Sequence, residues 1–571
     1  MQQTDTTPAA ADTQPRPQKR RSLIRRFVAV YYILFALILL ALIPPYISVN
    51  RYQHRIATSI SQSLGRPVHL DDVNLTLLPF PGFTITNLVV SEDPAFGSEP
   101  IIRAMSVHAR LRVSSLWRHQ VEFSTISFTE PSVNLVHLAN GKWNLESILL
   151  QAARIQAAPT AQKTAGPAPR FPYIEATGAR LNLKLDTEKT PFSLTEAEFA
   201  LWLPDPQQWH LRIEARPART DTIVADAGTV LVEGTLNRAP ALADVPINLN
   251  LQWRNVPLGE ASRLIRGHDT GLRGDLTLTA HAQGTLGASI ITSHLSINAL
   301  RRADFVPERR PSVDLQCQTT ATNTFHSFAD IQCTWPPDGS NQPIALLASI
   351  PDVRDLNTAT AKIGTPALPI PTTLDWLRTA SSRMPSDLTA TGTLSGSAEL
   401  PSGLTHIRSQ WDTQTTAAFQ ISALTLQSPS SGLPPITLGN VAIHTAIPQT
   451  PEPTRSHRRQ PAPPPTHGLL LEPTLLPLGA KDPATIDGHI DATGYTIHLT
   501  GPAVLSQLIA LGHAIPQFGD GLQNILPTNT PTTPIHIDLT ATRPWGAPQT
   551  WQDNTAHPTP TRPHTHHQTT N

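Results

Sequence analysis

Asp71 and Asp72 stand side by side, and the run Arg266-Gly-His-Asp-Thr-Gly-Leu-Arg-Gly-Asp275 gathers two carboxylates and an imidazole. These are the residue types of general acid–base chemistry. Neighbours on a strand face opposite ways, so the Asp71 and Asp72 carboxylates cannot easily share a proton. The Gly-rich run has the composition of tight turns. No HExxH, GxSxG, Walker loop, post-strand GxGxxG or EF-hand loop is present. Ser, His and Asp are scattered with nothing concentrating them, so the expectation is no enzyme, no catalytic residue, no metal and no cofactor. The terminal PHTHHQ has the residues for loose metal binding but reads as a solvated tail.

The two cysteines, Cys317 and Cys333, lie in strand-like text, SVDLQCQT and FADIQCTW. Without CxxC or a His at ligand spacing they do not suggest zinc. In an oxidising compartment they would form a disulfide between neighbouring strands, worth about 3 kcal/mol. Two independent buried thiols are the alternative.

The 571 residues carry 43 basic and 43 acidic side chains, so no net field recruits nucleic acid. Charged residues make up 15% and there are 56 prolines. Typical values are about 25% charged and about 5% proline, so strands and loops are favoured over helices.

Residues 27–43 read FVAVYYILFALILLALI, preceded by Lys19, Arg20, Arg21, Arg25 and Arg26. Extended to 47, the run reaches the roughly 20 residues that span a bilayer. A cleaved leader shares the basic flank, but its apolar stretch is shorter and ends at small residues rather than Pro-Pro-Tyr. The expectation is a transmembrane helix over 27–47. The basic flank Arg20, Arg21, Arg25 and Arg26 then holds the N-terminus in the cytoplasm, and everything from about Ser48 lies beyond the membrane.

A disordered tail is expected over 1–26 and a helix over Asn50–Leu64, where Ile56, Ile60 and Leu64 form one stripe before Gly65 and Pro67. Beyond Val68 the period is two: Leu181, Leu183 and Leu185; Leu211 and Ile213; Leu249 and Leu251; Leu276 and Leu278. Short helices are expected at Leu145–Gln156 capped by Asn144, at Leu258–Arg266, at Leu374–Arg383 and at Ala503–Ala514. Pro-rich text suggests linkers at 157–170 and 448–467 and a disordered tail at 547–571, bounding regions 48–156, 171–447 and 468–546. The fold class is mainly β: a long, curled, mostly antiparallel sheet, groove-like, with a few short helices.

Six segments carry a family likeness: Leu64-Gly65-Arg66-Pro67-Val68; Pro81-Gly82-Phe83; Glu92-Asp93-Pro94 with Phe96-Gly97; Ser115-Leu116-Trp117; Pro131-Ser132-Val133-Asn134-Leu135; and Gly141-Lys142-Trp143-Asn144-Leu145. Through them the stretch from Ile56 to Gln151 resembles the AsmA family of envelope proteins, with a looser likeness at 228–234, 258–275 and 487–546. The resemblance implies a single-pass inner-membrane protein whose periplasmic bulk is a repeat-built groove, with a role in outer-membrane biogenesis. The implied partners are the inner membrane, phospholipid, and envelope or outer-membrane assembly proteins. Leu181, Leu183, Leu185, Leu211, Ile213, Leu249, Leu251, Leu276 and Leu278 would then line a lipid groove. The same alternation also fits a closed sandwich core. The alternative function is a non-conducting scaffold for outer-membrane protein insertion. Roughly 25 strands at ~4.8 Å reach at most about 120 Å, which suits a groove that passes lipid to a partner better than a full crossing of the envelope.

Overall fold

The computed structural model describes residues 27–36, 53–76, 80–116, 123–146, 172–186, 188–205, 208–337, 342–381, 384–400, 415–446, 469–490, 494–515 and 533–544. The strands join one 24-stranded sheet. β1 (Val68–His69) and β2 (Asp72–Thr76) both pair with β3 (Gly82–Val90), β3 with β4 (Ile102–Leu111), and β4 with both β5 (Phe123–Thr129) and β6 (Ser132–His137). These pairs are antiparallel. β5 and β6 then run parallel to β7 (Tyr173–Leu185).

From β7 onward each strand pairs antiparallel with the next. The order is β8 (Glu188–Asp205), β9 (Gln208–Arg219), β10 (Thr229–Asn237), β11 (Pro246–Pro257), β12 (Leu272–Thr285) and β13 (Ala288–Arg302). It continues through β14 (Val313–Thr322), β15 (Ser327–Trp335), β16 (Ile344–Ile350), β17 (Thr360–Pro369), β18 (Thr389–Leu400) and β19 (Thr416–Gln427). The last strands are β20 (Ile436–Ala446), β21 (Leu469–Leu476), β22 (Ala484–Ile490), β23 (Gly494–Ala503) and β24 (Ile535–Pro544). Period-two sequence gives each strand one apolar face, and short connections make neighbours in sequence neighbours in the sheet.

Helix α1 (Gln53–Leu64) packs Ala57 and Ile60 on the core under β1 to β4. Helices α2 (Leu258–Arg266), α3 (Ile370–Ala380) and α4 (Leu505–Ala514) follow β11, β17 and β23, a constant interval of six strands. α2 ends at Gly267, whose φ of 78° is the left-handed conformation glycine adopts without strain. α3 starts one turn earlier than the expected Leu374, because Pro371 is tolerated in a first turn where its missing N–H is not needed. It ends at Ala380, short of the expected Arg383.

One device fastens two of these helices. Arg219 is paired with Asp221 and donates from Nη1 to the Leu264 and Ile265 carbonyls at the end of α2. Arg302, paired with Asp304, donates likewise to the Arg378 carbonyl of α3. An Arg-x-Asp at a strand end thus puts a cation on carbonyls that a helix leaves unsatisfied.

The Pro-rich stretch at 448–467 interrupts the sequence but not the sheet. Thr445 and Ala446 of β20 pair with Leu471 and Leu470 of β21. The largest core runs from Ile370 and Leu374 through Leu426 and Ile436 to Leu499, Leu511 and Ile537. Strands β21 to β24 therefore extend the same sheet. A long connection is compatible with this, since loop-closure entropy grows slowly with length.

Residues 27–36 are helical with exposed side chains. No helix among the described residues is long and apolar enough to cross a membrane. The expected tail 1–26, the remainder of the span to 47, the expected helix beyond residue 146, both linkers and the tail 547–571 lie outside the described residues. The expected cap, Asn144, stands at the edge of the described residues, and the helix it would open lies outside them. The Asn144 side chain is fully buried, accepting from the Val136 N–H at 3.0 Å and donating to the Asn134 carbonyl at 2.8 Å.

Candidate functional site

Two of the carboxylates weighed above, Asp71 and Asp269, are engaged by neighbouring groups. Asp71 accepts a hydrogen bond from Asn87 at 2.8 Å. Asp269 accepts two bonds from Arg273, both at 2.9 Å, and one from the Gly271 N–H at 2.8 Å. Burial works to raise its pKa, but the Arg273 and Gly271 bonds and the Arg263 charge outweigh that and hold it below the usual carboxylate range. A carboxylate so tied closes a turn and has no proton to exchange near neutral pH. No group of three or more His, Cys, Asp or Glu suited to a metal occurs among the described residues.

The sheet itself carries the pattern of interest. Register partners on adjacent strands share a face, so a row can be followed strand by strand. One row starts at Val73 in β2 and runs through Ile85, Val107, Phe128, Ala176 and Phe199 to Ile213 in β9. It continues through Val232, Leu251, Ala280, Ser293 and Cys317 to Cys333, and on through Leu346, Ile363 and Ala398 to Ala417 in β19. Ser293 is its one polar member.

The adjacent row on the opposite face starts at Asn74 and passes Thr84, His108, Ser127 and Glu175 to Ala200. It then follows Arg212, Glu233, Asn250, His281 and Thr292 to Gln318 and Gln332. Leu347, Lys362, Glu399 and Thr416 complete it. Only Ala200 and Leu347 are apolar. Two rows one residue apart are thus sorted by polarity from β2 to β19.

All nine groove candidates lie on the apolar face. Leu211 and Leu249 are both partners of Gly234, Ile213 and Leu251 both partners of Val232, and Leu278 pairs with Trp253. Leu276 rejoins them beyond the bulge between Trp253 and Val256. Leu181 pairs with Leu194, which packs with Ala176, Ala197, Ala215 and Ile213; Leu183 and Leu185 follow at alternate positions. Leu276 is buried beneath α2, whereas the other eight are half-buried.

The described strands provide no second sheet to close this face. α2 covers it at β11 and β12, and α3 and α4 cover it from β18 to β24. α4 is buried all round, so it fills the C-terminal end. Between them the face stays open enough that Ile363 is 40% exposed. A hollow of about 610 Å³ lies on the other face, among polar side chains such as Gln252, His294 and Gln318. Its imidazoles are already engaged, His281 with Asn250 and His294 with Asp314.

Cys317 and Cys333 are direct register partners within the apolar row, and their sulfurs are bonded.

The sheet curls far enough for remote turns to meet. Arg354, between β16 and β17, donates to the His137 carbonyl at 3.1 Å and to Asp186 at 3.0 Å. His137 stacks on Trp143 at 4.5 Å and meets His326 edge-on at 5.7 Å. Burial, with the Arg354 and His326 charges, pushes the His137 imidazole below its ordinary value of 6.5 despite Asp186. A lowered histidine pKa stabilises the fold above about pH 6.5, and that contribution is lost as pH falls through the lowered value. Acidification to pH 5 is therefore expected to loosen this clasp. Amide hydrogen exchange at Val136, His137 and residues 351–359 should accelerate, and Arg354→Ala should produce the same acceleration already at pH 7.5. Unchanged exchange in both cases would show that the contact does not hold the curl.

At the other side of β6, three of the six family segments converge. Arg66 lies 3.6 Å from Glu92 and 3.0 Å from Asp93, and Asn144 donates to Glu92 at 2.6 Å. The Arg66 and Glu92 side chains are only 5% and 2% exposed.

The AsmA family model matches residues 24–172. Comparisons with curated proteins and with solved structures returned no match. The matched range holds the Arg66, Glu92 and Asn144 network and the strands that open the apolar row, and in this part the chain belongs to the AsmA family.

Proposed function

We propose that this protein is anchored in the inner membrane by a single span over 27–47, with its N-terminus in the cytoplasm and its sheet in the periplasm, and that it holds or conducts phospholipid along the apolar face. The observation that carries this reading is the apolar row from Val73 to Ala417, backed by a polar row one residue away. A continuous apolar surface left half-open is unfavourable in water, and patches beyond a few hundred Å² generally mark binding sites. Acyl chains suit it, gaining about 0.8 kcal/mol for each methylene removed from water, while the polar rear remains hydrated. The sheet amounts to roughly 100 Å of strands before curling, and α4 fills its far end, which favours delivery to a partner over a complete bridge. Nothing in this role requires a catalytic residue.

Neighbouring residues on opposite faces give a direct test. In the full-length protein in native membranes, a photoreactive amino acid at Leu251 should yield phospholipid adducts by mass spectrometry, and one at Asn250 should not. Equal yields at both positions would remove the case for a lipid-selective face. Protein adducts alone at Leu251 would favour a scaffold for envelope assembly.

A further inference from the structure

Trp335 follows Cys333 by two residues in β15, so it shares the apolar face, and it pairs with Ile344. Its ring meets Trp376 of α3 edge-on at 4.5 Å. Trp376 in turn lines a cavity of about 220 Å³ formed by the β13–β14 connection and the first turns of α3, whose walls include Arg309, Arg310, Pro311, Pro371 and Asp375. The apolar face therefore leads, through two indoles, to a pair of adjacent guanidinium groups.

Asp375 is the carboxylate in that wall. It lies 3.1 Å from Arg309 and 3.8 Å from Arg378, whereas Arg310 makes no ion pair among the described residues. Two arginines against one carboxylate leave the cavity cationic, in a chain whose 43 basic and 43 acidic residues balance overall. Guanidinium groups bind phosphate oxygens in a bidentate manner, and the Trp and Pro walls offer no partner to a fully hydrated ion. The ligand that fits is anionic at one end and apolar at the other.

The geometry points to a binding site at Arg309 and Arg310 for the phosphodiester headgroup of a phospholipid whose acyl chains lie on the apolar row. This rests on the lipid-holding role proposed above and adds a fixed place for the charged end. A headgroup held at α3 would stop a lipid from sliding along the row and set how far its chains extend toward β15 and β16.

The test uses the full-length chain in phosphatidylcholine nanodiscs, with empty nanodiscs subtracted, and calorimetric titration with three probes: dihexanoylphosphatidylglycerol, dihexanoylglycerol and inorganic phosphate. Arg309→Gln/Arg310→Gln should weaken the phospholipid about tenfold, ~1.4 kcal/mol, and leave dihexanoylglycerol unchanged, which also shows that the variant is folded. Equal phospholipid affinity in variant and wild type would overturn the site, as would a parallel loss of both lipids, which signals structural damage. Inorganic phosphate binding as tightly as the phospholipid would make it a free-anion site and overturn the headgroup assignment. If the wild type binds dihexanoylglycerol and the phospholipid equally, the groove stands and the headgroup site falls. If it binds neither lipid, the groove reading itself fails.

Discussion

Glu92→Ala is expected to unfold the N-terminal end of the sheet while leaving the C-terminal end intact. The Glu92 side chain is 2% exposed and faces both Arg66 and Asn144. Its removal takes from the buried Arg66 one of its two carboxylate neighbours, Asp93 remaining at 3.0 Å, and from the Asn144 amide one acceptor, a loss of about 3 kcal/mol, the low end for breaking a buried pair. Asn144 also ties β6 to the Trp143 turn through Val136 and Asn134, so the loss reaches β6 as well. A sheet this long is not a two-state unit, so the readout is local. Amides of β3, β4 and β6 should exchange faster by about two orders of magnitude, and those of β22 to β24 should not change. Glu92→Gln keeps the shape without the charge and should fall between. Unaltered exchange in β3 and β4 would mean that this corner is held by apolar packing alone.

Leu251→Lys is expected to abolish lipid capture while the protein stays folded. Leu251 sits mid-row and half-buried, between Val232 and Ala280. A lysine there can bend its ammonium toward water in the empty protein, so the fold tolerates it. A lipid chain crossing that point must meet the charge, a penalty of roughly 3 kcal/mol for lysine in hydrocarbon, or on the order of a hundredfold in affinity. Gln252→Lys places the same charge on the polar face and should leave capture near wild type. Envelope integrity in cells, with phospholipid recovered on the purified full-length variants, checks both. If the two variants behave alike, the row is not the lipid path.

The strands and their polarity were legible because period-two text such as Ile247-Asn-Leu-Asn-Leu251 has one reading in a half-buried sheet. Short hairpins such as the Leu286-Gly287 connection then set the neighbours. Leu276 and Leu278 look alike in sequence, yet α2 covers the first more fully, a difference set by tertiary packing. Asn144 reads locally as a cap because its type and position suit one; that it also reaches Glu92, 52 residues away, has no local signal. The parallel pairing of β6 with β7 and the reach of Arg354 to His137 depend on how the sheet curls, which no local pattern encodes. The Arg-x-Asp clamps at Arg219 and Arg302 have a short signature, but its meaning appears only once a helix end lies beside it.

The meander also fixes how the molecule answers a pull. From β8 to β23 each strand is bonded, among the described residues, only to its predecessor and its successor. Tension along the sheet, across the strands, loads hydrogen bonds one pair at a time, so hairpins peel in sequence at low force instead of failing together. The Cys317–Cys333 link closes one of those hairpins covalently and sits within the row rather than at an end. Under load the chain would lengthen in small steps and keep its middle, behaving as a tether that yields gradually and stays attached.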